Sequence, residues 1–139
     1  MIKKVSHIGL AVDHLVEAKS FFSENFGLST SDSENFGELI FSFIPMKGTN
    51  LELLQSTTPE GQIAKFIERR GQGIHHISFE VDDIQSELDR LKGHGIKLIN
   101  EKPYLNAHKD LVAFIHPKST FGVLIELIQK SVTLTGPQA

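Results

Sequence analysis

The sequence predicts an α+β fold built from two βαβββ modules within one domain. An internal repeat carries this prediction. The segments HIGLAVDHL (7–15) and HHISFEVDDI (75–84) superpose when His7 is aligned with His76. Each segment alternates apolar and polar residues like a half-buried strand and then runs into a helical pattern.

The closing strands of the two modules repeat as well. LELLQ (51–55) matches IELIQ (125–129), which aligns Glu52 with Glu126. A helix covers only one face of a four-stranded sheet, so the other face needs a partner. Two such modules facing each other would enclose a cavity.

The remaining elements follow from periodicity and turn residues. After each first strand comes a helix with apolar residues three or four apart that ends at a glycine. Asp13, and either Asp82 or Asp83, are the expected N-caps of these helices. The further strands are expected at residues 28–33, 38–45, 96–100 and 111–116.

A connecting helix should join the modules, because Thr58-Pro59 is typical of a helix start and Gly71 of a helix end. The expected domain therefore covers residues 1–130. It comprises module one (1–57), the connecting helix (58–71) and module two (72–130). A flexible tail is expected over residues 131–139 because that segment lacks periodicity.

Composition narrows the function classes. The 139 residues contain no cysteine, so thiolate chemistry and disulfides are excluded and any metal must use histidine or oxygen ligands. No apolar run has the length of a membrane span, and no secretory signal is evident. The net charge of −3 is spread along the chain, which argues against nucleic acid as a partner. A cytoplasmic protein is expected.

The repeat singles out four polar residues at matching strand positions. Glu52 and Glu126 stand within apolar strands, where a carboxylate is costly unless it is paired or binds a cation. Brought together with His7 and His76, they would form a site for one divalent ion such as zinc, cobalt, nickel, manganese or iron. The simpler alternative is that each glutamate pairs with a lysine or points outward.

The other histidines have no counterpart in the repeat. His75 precedes His76, so strand alternation places it on the opposite face, where a structural or supporting role is expected. The remaining four are expected in loops or at the surface: His14, His94, His108 and His116.

Paired modules with histidine and glutamate on their first and last strands resemble the vicinal oxygen chelate (VOC) superfamily, also called the glyoxalase/bleomycin resistance/dioxygenase fold. The resemblance covers about residues 4–130. Within it, HIGLAV, NLELL, IAKFIERRGQGIHHISFEVDDI and above all HPKSTFGVLIEL resemble the methylmalonyl-CoA epimerase family. The family's metal ligands match His7, His76 and Glu126, with Glu52 as the fourth.

This resemblance implies a metal-dependent epimerase that interconverts the (R) and (S) forms of methylmalonyl-CoA through a metal-stabilised enediolate. Inversion needs an acid/base group on each side of the substrate. Glu126 resembles one of them. The third strand, LIFSF, lacks the second carboxylate found in some epimerases, which leaves Glu38 as the nearest candidate.

Two other functions are also compatible with the sequence. One is a lactoylglutathione lyase (glyoxalase I) using the same four ligands, and the other is a metal-free module that binds a small molecule. The family resemblance also implies an acyl-CoA substrate and a homodimer. Lys118 and the Arg69-Arg70 pair are candidates for contacts with the phosphates of that substrate.

Overall fold

The computed structural model describes residues 1–131 of the chain. The order of elements is strand, helix and three strands, then a helix, then strand, helix and three strands again. Their bounds are β1 (Ile2–Ala11), α1 (Leu15–Phe26), β2 (Glu34–Phe36), β3 (Leu39–Ile44), β4 (Asn50–Ser56), α2 (Gln62–Arg70), β5 (Gly73–Val81), α3 (Ile84–Gly93), β6 (Tyr104–Leu105), β7 (Leu111–Ile115) and β8 (Ile125–Gln129). The predicted order of elements is confirmed.

The described residues divide into two compact units. The first, Val5–Ser78, holds β2, β3, β4, α1 and α2 together with most of β1 and β5. Strands β2, β3 and β4 pair antiparallel, whereas β4 pairs parallel with β1. Leu15 of α1 packs with Ile44 and Leu53 in the apolar core of this unit.

The second unit contains Met1–Lys4 and the chain from Phe79 onward. Strands β6, β7 and β8 pair antiparallel there. Ile84 and Leu88 of α3 pack with Ala113 and Leu127 of the sheet, and Val81 joins the same cluster. Val81, the last apolar residue in the alternating part of HHISFEVDDI, is therefore buried, as expected for a half-buried strand.

Two of the predicted strands are wrong, and they are wrong in the same way. Residues 28–33 form no strand, and the short strand β2 begins only at Glu34. The Ser31 amide still donates to the Phe43 carbonyl at 2.8 Å, but the Phe43 amide donates to the Ser31 side-chain oxygen, also at 2.8 Å. A side chain thus takes the place of a backbone carbonyl, and the regular ladder stops.

The second module repeats this arrangement. Residues 96–100 form only an isolated bridge between Leu98 and Ile115, and the strand β6 lies later, at Tyr104–Leu105. The Phe114 amide donates to the side-chain oxygen of Asn100 at 2.8 Å. The side chain of Asn100 therefore replaces a backbone acceptor in the second module, as the side chain of Ser31 does in the first.

The predicted cap of α1 is wrong. His14, not Asp13, is the N-cap residue, and its side chain makes no capping hydrogen bond. The first helical amide, that of Leu15, donates instead to the Gln55 side-chain oxygen of β4 at 2.7 Å. A neighbouring strand supplies the acceptor that a cap residue otherwise supplies.

The predicted start of α2 at Thr58-Pro59 is also wrong, because the helix begins at Gln62 after Gly61. The Ala64 amide donates to the Ser56 hydroxyl oxygen at 2.8 Å. A Cβ on Gly61 would lie 2.4 Å from that same oxygen, so the close approach requires glycine. The predicted end at Gly71 is confirmed.

The start of α3 is confirmed, since the Asp83 side chain accepts from the Ser86 amide at 3.1 Å. The predicted glycine end of α1 is confirmed at Gly27, which has a positive φ of 67°. In the part of the chain that is described, every helix is too short or too polar to cross a membrane. The expected tail lies almost entirely outside the described residues, and the predicted module boundaries stay predictions.

Candidate metal centre

Three of the four predicted donors lie together in the first unit. His7 lies on β1, Glu52 on β4 and His76 on β5. The register between the parallel strands β1 and β4 pairs Gly9 with Glu52, which brings the carboxylate within reach of His7. Both imidazoles are buried, with only 6% of His7 and 4% of His76 exposed.

The donor atoms of this cluster form a nearly equilateral triangle. The Nε2 atoms of His7 and His76 are 3.1 Å apart. Oε1 of Glu52 lies 3.4 Å from Nε2 of His7 and 3.5 Å from Nε2 of His76. The Glu52 carboxylate therefore faces two imidazoles and does not point outward, since only 13% of its side chain is exposed.

The size of this triangle fits a single divalent ion. Zinc binds histidine nitrogen and carboxylate oxygen at about 2.0–2.2 Å, so a tetrahedral site needs donors about 3.3–3.6 Å apart and an octahedral site donors about 3 Å apart. The separation of 3.1 Å between the two Nε2 atoms is close to the octahedral value. The separations of 3.4 Å and 3.5 Å between Glu52 and the two histidines lie in the tetrahedral range. Two imidazoles and one carboxylate also suit zinc, cobalt, nickel and manganese chemically.

Neighbouring residues give the cluster its shape. The Phe43 ring meets the His7 ring edge-on, with centroids 6.0 Å apart. On the other side, a Cβ on Gly9 would lie 2.3 Å from Cε1 of His76. Glycine at this position therefore leaves the space that the imidazole of His76 occupies.

The distal nitrogen of each imidazole also has a partner. Nδ1 of His7 lies 3.2 Å from the Ser6 hydroxyl oxygen, and Nδ1 of His76 lies 2.9 Å from Nδ1 of His75. The His75 ring in turn meets the ring of Phe66 in α2, with centroids 5.0 Å apart. His75 thus contacts a donor of the cluster, although alternation alone placed it on the other face.

The fourth predicted donor, Glu126, lies on β8 in the second unit, where it pairs with Phe114 of β7. It is 8% exposed. Partial burial raises the pKa of Tyr104, and the negative charge of Glu126 raises it further, so the tyrosine stays protonated at neutral pH. The assignment of Glu126 to the metal stays a prediction.

The other predicted site residues lie at the surface. Glu38 is exposed in the turn between β2 and β3. Lys118 is exposed in a 3-10 turn (Pro117–Ser119), and Arg69 and Arg70 are exposed in the last turn of α2. Their roles stay predictions.

The four histidines without a repeat counterpart lie at helix ends or in loops, as expected. His14, His94 and His108 are exposed. His116 is half-buried and has a local structural role, because its Nδ1 accepts from the Lys118 amide at 3.0 Å.

Comparison with known proteins agrees with this architecture. A profile of the glyoxalase/bleomycin resistance protein/dioxygenase superfamily matches residues 6–114. The chain belongs to this superfamily. The predicted fold class is thereby confirmed.

Several relatives have names that describe a reaction. The chain is 35% identical over 134 residues to the ethylmalonyl-CoA/methylmalonyl-CoA epimerase of Cereibacter sphaeroides, covering 93% of this chain and 99% of that one. It is 34% identical over 132 residues to the mitochondrial methylmalonyl-CoA epimerase of Dictyostelium discoideum, covering 93% and 80%. The predicted resemblance to these isomerases is confirmed.

Solved structures include a similar protein without an assigned activity. This is the hypothetical protein BH1468 from Bacillus halodurans C-125, with a TM-score of 0.90, 33% identity, and coverage of 96% of this chain and 98% of that one. The likeness therefore extends over nearly the whole length of both chains.

Proposed function

We propose that this protein is a divalent-metal-dependent epimerase that interconverts the (R) and (S) forms of methylmalonyl-CoA. The observation that carries the proposal is the triangle of donors formed by His7, Glu52 and His76. The names of the relatives supply the substrate class and the reaction. In the proposed site, Glu126 is the fourth ligand.

The proposed chemistry is proton exchange at the carbon between the thioester and the carboxylate. A bound ion would act as a Lewis acid toward the substrate's carbonyl and carboxylate oxygens, which makes that proton easier to remove. Glu126 is proposed to move the proton on one side of the substrate, and its burial supports this role because it limits the access of bulk water to that proton. Tyr104, which is close enough for the charge of Glu126 to act on it, is protonated and can donate a hydrogen bond to the substrate.

Deuterium exchange tests the reaction directly. Protein loaded with Co²⁺ or Zn²⁺ is incubated with one epimer of methylmalonyl-CoA in deuterated water, and C2 is followed by proton NMR. We expect loss of the C2 proton signal together with formation of the other epimer, and neither after chelator treatment. Absence of exchange, with turnover of methylglyoxal and glutathione instead, would assign the protein as a lactoylglutathione lyase.

A separate measurement tests the alternative of a metal-free binding module. Metal analysis of protein purified without chelator should find close to one divalent ion per chain. The variants His7→Ala and His76→Ala should lose that ion, whereas exposed His14→Ala should keep it.

The second acid/base group has two candidates. Glu38, expected from the sequence, is exposed in a turn. Glu34 of β2 is half-buried and pairs with Phe41 of β3. The centroids of the Phe41 and Phe43 rings are 5.8 Å apart, and the Phe43 ring contacts His7. Because directly paired residues share a face of the sheet, Glu34 lies on the same face as the metal donors.

Single substitutions separate these candidates. An epimerase that loses one of its two acid/base groups should still exchange the C2 proton of one epimer but no longer form the other epimer. We therefore compare Glu38→Gln with Glu34→Gln in deuterated water, following each epimer separately. The variant that exchanges without epimerising identifies the group, and normal epimerisation by both variants would exclude both residues.

The proposal also assigns residues that contact the phosphates of the substrate. Lys118 and the Arg69-Arg70 pair are exposed cations that can contact the phosphates of an acyl-CoA. Substituting Lys118 or both arginines by methionine should raise KM for the thioester while leaving kcat close to that of the parent.

A homodimer is proposed from the family resemblance. Sedimentation equilibrium of the full chain measures the mass of the assembly.

A further inference from the structure

The residues that precede the two histidine donors occupy equivalent positions in the repeat. Ser6 precedes His7 just as His75 precedes His76. Each of them contacts Nδ1 of the histidine that follows, at 3.2 Å for Ser6 and 2.9 Å for His75. The repeat therefore supplies partners for the distal nitrogens as well as the donors themselves.

The direction of these hydrogen bonds follows from the proposed role of Nε2. A neutral imidazole that binds a metal through Nε2 carries its proton on Nδ1. That proton needs an acceptor, which is the hydroxyl oxygen of Ser6 for His7 and Nδ1 of His75 for His76. His75 must then carry its own proton on Nε2.

The His75 contact is the more specific of the two. A serine hydroxyl can rotate to donate or accept, so it tolerates either tautomer of His7. His75 is a planar ring held edge-on against Phe66 of α2, which limits the direction in which its Nδ1 lone pair can point. Its contact therefore restrains the ring orientation of His76, and it supports the metal-binding tautomer of His76 when His75 carries its own proton on Nε2.

We propose that His75 is a positioning residue that holds His76 in the tautomer and orientation required for metal binding. Ser6 has the same role toward His7, with a smaller effect. Residues that orient metal-binding histidines in this way typically change metal affinity by about 10-fold to 100-fold when they are replaced. The inference rests on the proposed metal site.

The test measures metal affinity instead of turnover. Co²⁺ alone is titrated into metal-free protein, and binding is followed by the visible absorption of the ion, which also reports its coordination geometry. We expect His75→Ala to weaken binding by about 10-fold or more and to change the spectrum. His75→Asn should recover much of the affinity, because the asparagine side-chain oxygen can take the acceptor position of Nδ1.

Matched variants separate positioning from packing. His14→Ala and His14→Asn make the same changes at an exposed histidine and should bind Co²⁺ like the parent. Ser6→Ala should weaken binding less than His75→Ala does. Thermal melting of each metal-free variant verifies that it is folded before its affinity is interpreted.

Two results would overturn the inference. One is a folded His75→Ala variant with the affinity and spectrum of the parent. The other is a His75→Asn variant that binds as weakly as His75→Ala, since the ring would then matter for its bulk and not as an acceptor. Failure of the parent itself to bind Co²⁺ would instead contradict the proposed metal site.

Discussion

At the scale of single residues, Gly9 offers a sharp test of the candidate site. Any side chain at this position would collide with the ring of His76, since a Cβ would lie 2.3 Å from Cε1. The ring is buried and has little room to move aside. We expect Gly9→Ala to turn His76 away from its partners and to lower metal affinity by about 10-fold or more.

Isothermal titration with Zn²⁺ measures this effect, and Gly93→Ala is the matched control. Gly93 lies at the end of α3, and a Cβ there would meet no atom within 4 Å. The control should bind Zn²⁺ normally and be as stable as the parent or slightly more stable. If Gly9→Ala bound Zn²⁺ normally, the ring position of His76 described above would be wrong.

Sequence alternation predicts on which face of a strand a side chain lies, but it does not predict every contact that the side chain makes. It indicates that His76 lies on the opposite face of its strand from the apolar residues, and the distances from its Nε2 to His7 and Glu52 agree. It did not predict the bond between His75 and His76, because neighbouring residues on opposite faces meet only when their side-chain torsions turn both rings toward the strand edge. Periodicity contains no information on those torsions.

At the scale of elements, two glutamines of the sheet hold the first turns of two helices. The Leu15 amide of α1 donates to Gln55, and the Ile84 amide of α3 donates to Gln129 at 2.9 Å. The two helices differ in their caps, because Asp83 caps α3 while the His14 side chain makes no capping bond to α1. Helix α1 therefore depends more on its glutamine.

We expect Gln55→Leu to lower the free energy of unfolding by about 1–3 kcal/mol, since it leaves a buried amide without its acceptor. Gln129→Leu should cost less, because Asp83 still organises the start of α3. Urea unfolding followed by circular dichroism compares the two variants. A larger loss for Gln129→Leu would contradict this difference between the helix starts.

Helix α3 also carries an ion pair with a predictable pH dependence. Nη2 of Arg90 donates to Oε1 of Glu87 at 2.7 Å. The Met1 amino group donates a second hydrogen bond, to Oε2 of the same carboxylate. The bond from Arg90, and after it the bond from Met1, lower the pKa of Glu87 from its ordinary value of 4.5. A carboxyl with a lowered pKa in the folded state stabilises the protein above its ordinary pKa, and this contribution is lost as the pH falls.

We therefore expect Arg90→Met to lower the free energy of unfolding at pH 7 by about 0.5–1 kcal/mol, a small value because the arginine is half exposed. The difference from the parent should shrink as the pH falls below about 4. Urea unfolding at several pH values measures it. In a Glu87→Gln background the same substitution should have little effect at any pH.

The elements that were predicted wrongly share one physical cause. Ser31 and Asn100 replace backbone acceptors with side-chain oxygens, Ser56 replaces a cap residue of α2, and Gln55 replaces one of α1. In each case a polar side chain from another segment satisfies a backbone amide. Local sequence rules consider only neighbouring residues, so they place the element boundary wrongly.

At the scale of the whole molecule, metal binding should stabilise the folded chain. An ion that binds the folded state and not the unfolded one adds about 2.7 kcal/mol when it is present at 100 times its Kd. We expect the midpoint of thermal unfolding to rise by several degrees when Zn²⁺ is added and to fall again with chelator. The variant His7→Ala should show a much smaller rise.

A rise of equal size in His7→Ala and in the parent would show that Zn²⁺ stabilises the protein at another place. The variant His14→Ala, at an exposed histidine outside the site, is the control for removing a histidine that does not bind the ion. It should respond to Zn²⁺ like the parent.

The order of elements along the whole chain was predictable because the sequence repeats itself. Aligning His7 with His76 and Glu52 with Glu126 was enough to place each module's first and last strands. The repeat could not show how its halves differ. Those differences lie in single residues, such as serine at position 6 and histidine at position 75, whose consequences depend on three-dimensional contacts.

The three clustered donors are widely separated along the chain, on β1, β4 and β5. An ion held between them would act as a removable crosslink that closes two long loops. While the ion is bound, neither loop can open unless a donor first leaves the ion. Complete unfolding of the metal-bound form would therefore require loss of the ion, so slow release of the ion would slow the unfolding of that form.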